Sequence, residues 1–508
     1  MLASIPSATV LGVRGCPVTV EVFVGNGLPG YTMVGMPDAP CRESRERVRA
    51  ALASCQFAWP SRNITINLAP TSTRKSGAGL DLAIAIGLLV ATEQLPAAAV
   101  AGHAFIGELG LDGTLRKVSG VAPMVDALDA VDVVVPVENA LEAHVAARGT
   151  PRVATDLAAV VACLIGSREW HTFPVHPDLA MREALPDLSD VRGQPVARHA
   201  LEIAAAGAHH MLLIGSPGSG KTMLAQRLPG LLPPLERDHS LETTMVHSAA
   251  GMKLPAGGLL RYPPFRAPHH TTSAIAMVGG GSQQLRPGEV SLATNGVLFM
   301  DELGEFARPA LDGLREPLEE GVVRVSRSIG RAVMPARFLL VAATNPCPCG
   351  GGPPGSCQCD DHARSRYLRR LSGPLADRFD LRVVVHRPNV DDLLGAEPGE
   401  SSAVVRQRVV AARAVALDRA GKLNAALTPD ELDEVAPLAV DARSVLREEI
   451  ERERLTGRGY HRIRRVARTI ADLSEPGQPV VTLDHVELAL SMRASLRGPA
   501  MADSRWIA

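Results

Sequence analysis

Residues 215–222 read GSPGSGKT, which fits the pattern G-x-x-x-x-G-K-T and consists of Gly215, Ser216, Pro217, Gly218, Ser219, Gly220, Lys221 and Thr222. The apolar residues 211–214 before it are typical of a strand, and a helix is predicted to begin at Lys221. Glycines let backbone N–H groups wrap a phosphate without Cβ clashes, and the helix N-terminus adds positive potential. The pattern therefore predicts a nucleotide site in which Lys221 contacts the β- and γ-phosphates and Thr222 contacts Mg²⁺.

Two adjacent acids follow another apolar run. Residues 297–300 read as a strand, and Asp301 and Glu302 come directly after it. Asp301 would hold the Mg²⁺ shell, and Glu302 would polarise the attacking water as a general base. Two acids after a strand are also a common start for a helix, so this interpretation depends on the phosphate loop lying on a neighbouring strand.

Two more polar residues border predicted strands. Asn345 follows the strand predicted at residues 337–343, where an amide could orient a water between the nucleotide and Glu302. Arg378 comes just before the strand predicted at residues 381–385. It is interpreted either as an arginine that reaches the nucleotide of a neighbouring subunit or as a member of a surface salt bridge.

The bulk composition limits the partners. The chain has 508 residues, a formal net charge of −1 and 3% aromatic residues, so neither an overall basic field nor a base-stacking surface is indicated, and any nucleic-acid site must be local. The start of the chain does not resemble a signal peptide, and the longest apolar run, residues 82–91, is too short to cross a bilayer. We expect a soluble cytoplasmic protein with no membrane partner.

The order of apolar and polar segments predicts three folded regions. Residues 1–170 alternate short strand-like and helical runs, and residues 171–187 form a proline-rich linker. Residues 188–390 contain apolar strands separated by long crossover segments, which is typical of a parallel α/β sheet. Residues 391–508 are predicted to be helical throughout.

These elements, in this order, resemble the AAA+ ATPases, and within them the magnesium-chelatase-like branch and most closely the ComM/YifB family. The resemblance covers essentially the whole chain. Its specific strings are DVRGQ (190–194), FRAPHHT (265–271), PGEVSL (287–292), NGVLFMDE (295–302), NPCPCG (345–350), YHRI (460–463) and ARTIADL (467–473).

The resemblance implies roles for individual residues. The phosphate loop would be Walker A, and Asp301 and Glu302 Walker B. Asn345 would be sensor 1, and Arg378 a finger that acts on the neighbouring subunit of a homo-hexameric ring. Gln194 would line the adenine pocket. Arg458 would be sensor 2, with Arg462, one turn later, as the alternative.

The resemblance also implies the remaining architecture. An insert within the second core helix would span about residues 254–286, and the C-terminal helices would form a lid. The N-terminal region would have the Lon-protease-like, ribosomal S5-like fold. Gly77 stands at the position of the protease serine, and residues 118–124 contain no lysine for a catalytic dyad. We therefore expect this domain to be non-proteolytic.

Arginines mark two candidate surfaces. A hairpin predicted at residues 322–334 carries Arg324, Arg327 and Arg331, which would contact DNA if the hairpin lines a central pore; the alternative is a solvated hairpin with ordinary surface arginines. Residues 458–468 carry several arginines and no acid. They could face ATP and a neighbouring subunit, bind nucleic acid, or form a charged face balanced by nearby acids.

Four of the eight cysteines lie within a glycine- and proline-rich stretch, as C-x-C-x7-C-x-C: Cys347, Cys349, Cys357 and Cys359. Four thiols at this spacing in a reducing compartment predict a tetrahedral Zn²⁺ site, although the spacing is tighter than the usual C-x2-C. Structural thiols or a redox-labile pair are the alternative. The other four cysteines are predicted to be buried thiols.

The predicted activity is ATP hydrolysis with Mg²⁺, coupled to mechanical work in a ring. The resemblance to ComM implies a DNA helicase or branch-migration translocase that acts on single-stranded or branched DNA in recombination or natural transformation. The rival hypothesis is a chelatase-like remodeller that drives a partner protein and does not touch DNA. An ATP-dependent protease is disfavoured by the missing serine–lysine pair.

Overall fold

The computed structural model describes the chain except for residues 73, 130, 174–184, 283, 328–329, 351–356, 358, 361, 364–365, 368–374, 389–398 and 495–508. Most of the predicted linker at 171–187 and the predicted boundary near residue 390 therefore lie outside the described residues.

The N-terminal region contains two main sheets. One has the order β1-β2-β4-β3, and the other is the parallel sheet β5-β8-β9. The strands are β1 (Leu2–Leu11), β2 (Arg14–Gly25), β3 (Gly30–Val34), β4 (Asn63–Ala69), β5 (His103–Phe105), β6 (Glu108–Leu109), β7 (Leu115–Arg116), β8 (Asp132–Pro136) and β9 (Pro151–Ala154). The helices are α1 (Ala39–Ser54), α2 (Asp81–Ala91), α3 (Val121–Asp126), α4 (Ala140–Ala146) and α5 (Leu157–Leu164).

The second region is built on a parallel sheet with the order β11-β14-β17-β10-β18. Its strands are β10 (Met211–Ile214), β11 (Phe265–Arg266), β14 (Val297–Met300), β17 (Leu339–Thr344) and β18 (Leu381–Val384). Every residue of β10, β14 and β17 is buried, as expected for strands covered on both faces. The parallel α/β prediction for this region is therefore confirmed.

Helices and short ribbons surround this sheet. The helices are α6 (Pro195–Gly207), α7 (Lys221–Leu231), α8 (Arg237–Ala249), α9 (Ala274–Val278), α10 (Glu289–Leu292), α11 (Arg308–Asp312) and α12 (Arg315–Glu320). The ribbons pair β12 (Gly279–Gly280) with β13 (Arg286–Pro287), and β15 (Val322–Arg327) with β16 (Gly330–Pro335).

The predicted helix insert needs a correction. Residues 254–286 include β11, which pairs in parallel with β14 and belongs to the central sheet. The small β12–β13 ribbon lies after this strand. A two-residue strand has no periodicity that a sequence pattern could reveal, so the sequence does not distinguish this strand from the predicted insert.

The described residues beyond 400 form helices α13 (Ser402–Ala420), α14 (Pro429–Val435), α15 (Val440–Glu451), α16 (Gly457–Ser474) and α17 (Leu483–Ser491). Ile463, Val466 and Ile470 of α16 are buried at helical spacing and join the core that covers one face of the central sheet. The N-terminal region packs on the other face, where Val10 and Val121 share a hydrophobic cluster with Leu298.

The side chains of Lys75 and Ser76 in the N-terminal region have different partners. Lys75 is fully buried and donates to the Pro70 carbonyl, whereas Ser76 Oγ donates to the Val10 carbonyl at 3.5 Å. Gly77 adopts a left-handed conformation with φ +85°. The two side chains are thus occupied by different carbonyls. The Lon-like and non-proteolytic assignments stay predictions.

Candidate active site

The phosphate loop connects the end of β10 to the start of α7 and leaves an open concave surface. Gly218 and Gly220 have φ values of +77° and +90°, a region that side chains rarely adopt. A Cβ built on either glycine would meet no atom within 4 Å. The loop therefore has both the glycine conformations and the space that a phosphate group requires.

Lys221 lies inside this loop and is only 8% exposed. Its Nζ donates to the carbonyls of Gly215 at 2.7 Å and Ser216 at 3.0 Å, and to Asn345 Oδ1 at 3.2 Å. Burial lowers the pKa of Lys221, while Asp301 and Glu302 act in the opposite direction. The amine is therefore fixed where the loop and the end of β17 meet.

Thr222 and Asp301 supply adjacent oxygen ligands. Thr222 Oγ1 donates to Asp301 Oδ2 at 2.6 Å, and both side chains keep some solvent exposure. A hydroxyl beside a carboxylate is a hard, all-oxygen donor pair, which suits Mg²⁺. The residues present therefore fit a magnesium–nucleotide complex on chemical grounds.

Glu302 has an unusual backbone and a specific partner. Its φ is +53°, which is uncommon for a residue with a side chain. The carboxylate is about half exposed, and its Oε2 lies 3.1 Å from His270 Nδ1. Strained backbone of this kind concentrates at functional sites, because surrounding contacts must stabilise it.

His270 is a candidate functional residue that the sequence interpretation missed. In the sequence it stands out only as part of the FRAPHHT string (265–271). The signal was its place in the FRAPHHT string directly after β11, since that strand lies beside β14 and brings its following loop close to Glu302.

Gln194 lies against the same loop. It occupies a left-handed position at the start of α6, and its Nε2 donates to the carbonyls of Ser219 at 2.9 Å and His386 at 2.5 Å. Gln194 therefore connects the start of α6 to the phosphate loop and to the segment that follows β18. Its predicted role in an adenine pocket stays a prediction.

We call the ends of β10, β14 and β17, with Lys221, Thr222, Asp301, Glu302 and Asn345, the carboxyl edge of the sheet. These strands are parallel neighbours, so the residues that follow them meet at one edge. The sequence placed the residues on separate strands, and the structure brings their side chains together.

Arg378 lies at the opposite edge. It ends a short 3-10 turn, Ala376–Arg378, just before β18, which runs parallel to β10. Its side chain is 14% exposed and forms an ion pair with Glu319. We call the starts of β10 and β18, with Arg378, Asp380 and His209, the amino edge.

Arg462 of α16 also lies at the amino edge. Its Nη1 is 2.5 Å from Asp380 Oδ1 and 3.0 Å from the Arg378 carbonyl. Further along α16, Thr469 Oγ1 lies 2.7 Å from His209 Nε2. The helix therefore runs along the amino edge. Arg458 is exposed and lies roughly 6 Å, one helical turn, before Arg462.

Asp380 anchors this cluster. Burial alone would raise its pKa, but His209 and Arg462 together hold the pKa of Asp380 well below its usual range. A buried carboxylate that stays charged can hold an arginine and a histidine in place. Arg462, one of the two predicted sensor 2 residues, is therefore held at the amino edge.

The arginines of the β15–β16 hairpin differ in their surroundings. Arg324 Nη1 lies 2.7 Å from Glu316 and also pairs with Glu320, so its charge is offset within the chain. Arg327 and Arg331 are exposed near the hairpin end. Of the three arginines predicted to contact DNA, Arg324 is thus paired with acids of its own chain, whereas Arg327 and Arg331 are exposed.

The four clustered cysteines meet in space. One sulfur from each of Cys347, Cys349, Cys357 and Cys359 lies within 4.8 Å of the others. His362, three residues after Cys359, is not part of this group among the described residues.

Three family descriptions match successive parts of the chain. Residues 187–393 match magnesium chelatase, subunit ChlI; residues 20–139 match subunit ChlI of Mg-chelatase; and residues 399–493 match the C-terminal part of magnesium chelatase subunit ChlI. Together with the sheet order and the phosphate loop, these matches define an AAA+ protein of the magnesium-chelatase type.

Full-length relatives narrow this class. The chain is 42% identical to uncharacterized protein YifB of Salmonella typhimurium over 97% of both chains, and 42% identical to competence protein ComM of Haemophilus influenzae over 98% of both. It belongs to the ComM/YifB family. A distant likeness of 24% identity covers 42% of this chain and 27% of the probable DNA helicase MCM9 of Arabidopsis thaliana.

Among the described residues, no helix is both long enough and apolar enough to span a membrane.

Proposed function

We propose that this protein hydrolyses ATP with Mg²⁺ and that each catalytic site is completed by a neighbouring copy in a closed ring. The observation that supports this most directly is the separation of the two edges. Arg378 precedes β18, whereas the phosphate loop follows the parallel neighbour β10. Four strand residues span about 13 Å, so Arg378 cannot act at the phosphate loop of its own chain.

A head-to-tail arrangement makes use of this separation. If the amino edge of one copy faces the carboxyl edge of the next, every interface contains one phosphate loop and one Arg378. Heterologous contacts of this type generate rings when the rotation closes. The resemblance to ring motors supports six subunits.

The residues of the carboxyl edge then have separate tasks. Mg²⁺ bound to ATP neutralises phosphate charge and orients the triphosphate. The loop N–H groups and Lys221 would bind phosphate oxygens, and Thr222 and Asp301 would hold the cation. Glu302 would accept a proton from the attacking water, which Asn345 would orient.

Arg458 and Arg462 are assigned to the same interface. In the ring arrangement these arginines would approach the nucleotide of the neighbouring copy together with Arg378. Their predicted sensor 2 role would then act across the interface. Arg462 also positions Arg378 through the Arg378 carbonyl.

DNA is the substrate we propose for the motor. The exposed Arg327 and Arg331 lie near the end of a hairpin, where they can reach a phosphate backbone. The names of two relatives, a competence protein and a probable DNA helicase, support the same substrate class. Helicase or branch-migration activity on single-stranded or branched DNA, in recombination or natural transformation, is the specific proposal.

A chelatase-like protein remodeller is the second candidate. The pairing of Arg324 with Glu316 and Glu320 favours it, because this removes one of three expected phosphate contacts. The net charge of −1 adds no general attraction to nucleic acid.

The deciding experiment measures ATPase activity of the purified chain with single-stranded, duplex and branched DNA over a series of salt concentrations. We expect stimulation by single-stranded or branched DNA that falls as salt rises. The slope of the logarithm of the apparent DNA affinity against the logarithm of the salt concentration measures the number of phosphate contacts. Replacing Arg327 and Arg331 by alanine should reduce this slope by about two, one for each lost contact. Arg324→Ala is the matched control and should change it little. An ATPase indifferent to every DNA form would favour the remodeller.

A further inference from the structure

The cysteine cluster has the dimensions of a single-ion site. Cys347 and Cys349 sulfurs are 3.4 Å apart, Cys349 and Cys357 sulfurs 3.5 Å, and Cys357 and Cys347 sulfurs 3.4 Å. These distances are far too long for disulfides, whose sulfurs are about 2 Å apart. Four thiolates at about 2.3 Å from one Zn²⁺ have sulfurs separated by about 3.8 Å, close to the observed spacing.

The local backbone supports the same arrangement. The N–H of Gly350 donates to the Cys347 carbonyl at 3.0 Å, and Gly350 has φ +74°, so the chain turns directly after the first C-x-C pair. In the second pair, the N–H of Cys359 points to Cys357 Sγ at 3.4 Å. Backbone donors aimed at sulfur stabilise metal-bound thiolates.

Zinc fits this site better than other thiolate-bound centres. In an iron–sulfur cluster the four thiolates are divided over two or four irons, which holds sulfurs bound to different irons further apart than one ion does. A hard cation such as Mg²⁺ or Ca²⁺ prefers oxygen ligands. One soft, tetrahedral ion with four sulfur ligands is the arrangement typical of structural zinc.

The cluster also abuts the candidate active site. A Cβ built on Gly350 would lie 2.7 Å from Pro217 in the phosphate loop, so the cysteine turn and that loop are in direct contact. Two residues before Cys347, Asn345 accepts the hydrogen bond from Lys221. Beyond the cluster, Tyr367 OH lies 3.0 Å from Thr344 Oγ1, and the ring packs on Gly304, just after Glu302.

We propose that Cys347, Cys349, Cys357 and Cys359 bind one Zn²⁺ ion and that the loaded turn holds the phosphate loop in the conformation that accepts a nucleotide. The zinc assignment depends on the sulfur geometry alone. The effect on the phosphate loop rests on the proposed ATP-binding function. A bound metal can order the turn without additional hydrophobic packing, which suits a segment this rich in glycine and proline.

The first test measures metal content in full-length protein purified without chelators, without added zinc and without a metal-affinity tag. We expect about one zinc per chain by mass spectrometry of the metals. Cys349→Ser should lose it, whereas Cys163→Ser, at a cysteine in α5, should keep it. Iron or copper at one per chain would overturn the zinc assignment. No metal in wild type, even after incubation with zinc, would overturn the site.

A spectroscopic measurement guards against misfolded variants. Wild-type protein stripped of metal and reloaded with Co²⁺ should show the intense visible bands of a tetrahedral cobalt thiolate, with sulfur-to-metal charge transfer. Weak octahedral bands would overturn the four-sulfur assignment. This test needs no substitution.

The effect of zinc on the phosphate loop is tested by measuring nucleotide affinity on the same samples, with circular dichroism to confirm the fold. Stripping zinc should weaken binding of a fluorescent ATP analogue by roughly tenfold, and adding zinc should restore it. Unchanged affinity after complete zinc loss would overturn the coupling. Because zinc content is measured without nucleotide, a chain that binds zinc but no ATP would overturn the proposed function while supporting the metal site.

Discussion

The two edges of the central sheet differ in what their charged groups contact. At the carboxyl edge, Lys221 is surrounded by two backbone carbonyls and an amide oxygen, and Thr222 meets Asp301. At the amino edge, Arg462 and His209 share the buried Asp380, and Arg378 pairs with Glu319. One edge is equipped to hold a cation and a phosphate chain, and the other presents arginines.

Under the proposed function, one chain carries two half-sites facing opposite directions. The sheet itself enforces the separation, since parallel strands place their starts and ends at opposite edges. A complete set of groups for phosphoryl transfer would then require two copies. Substitutions at each edge test this proposal, from the largest expected effect to the smallest.

Arg378→Ala should remove most ATP turnover while leaving nucleotide binding nearly intact. An arginine that stabilises transition-state charge contributes roughly 10³ to 10⁵ in rate, and the loss should fall in this range. Steady-state ATPase rates and a fluorescent nucleotide titration measure the two quantities. Arg308→Ala, at a largely exposed arginine of the same region, is the control and should hydrolyse ATP normally.

Mixing two inactive variants sharpens this test. Arg378→Ala chains keep Glu302, and Glu302→Gln chains keep Arg378, so mixed rings contain some interfaces with both groups intact. Activity should therefore reappear on mixing. If mixtures stay as inactive as either variant alone, although both assemble, Arg378 does not act across the interface.

Glu302→Gln should reduce hydrolysis by roughly 10² to 10⁴, the usual contribution of a general base, and should leave ATP bound. The carbonyl oxygen of glutamine can still orient a water but cannot take its proton. Rapid separation of protein-bound ATP and ADP distinguishes trapped substrate from product. Glu305→Gln, in the same loop, is the control; an equal loss there would assign the effect to loop structure.

The sequence predicted the carboxyl edge better than the amino edge for a physical reason. Strands 211–214 and 297–300 were placed correctly because buried parallel strands are continuously apolar. The polar residues that follow such strands must meet at one edge, whatever the intervening chain does. Asp301 and Lys221 could therefore be paired without knowing the helices between them.

The amino edge depends on packing that no local pattern encodes. Arg462 reaches Asp380 because α16 docks against α6 and β18, and its helical spacing shows only which face is buried. The contact of His270 with Glu302 was missed for a related reason. It requires β11, which is two residues long and carries no periodic signal.

Arg462→Ala tests whether the α16 arginines belong to the amino edge. Its loss leaves the buried Asp380 with one cationic partner fewer and releases the Arg378 carbonyl, so Arg378 should be misplaced. A misplacement of about 1 Å costs roughly a hundredfold, which sets the expected fall in turnover. Arg462→Lys should recover part of it.

Arg458→Ala is the companion measurement. Arg458 is exposed, so its loss should leave thermal stability unchanged, while Arg462→Ala should lower it. In mixing experiments, both variants should complement Glu302→Gln. Failure of both to complement would place these arginines at the nucleotide of their own chain.

His270→Ala should have the smallest effect on the ATPase rate, and it should raise the rate where the other substitutions lower it. His270 Nδ1 lies 3.1 Å from Glu302 Oε2, and we expect Glu302 to leave this contact when it accepts a proton from the attacking water. A half-exposed pair is worth up to about 1 kcal/mol, which corresponds to a rise of at most about fivefold in basal ATPase. His269→Ala is the control and should change the rate less; its ring is tilted by 36° to that of His270, with the centroids 4.1 Å apart. A fall in basal rate with His270→Ala would show that His270 instead orients Glu302 for catalysis, and the contact would then belong to the active arrangement of the carboxyl edge.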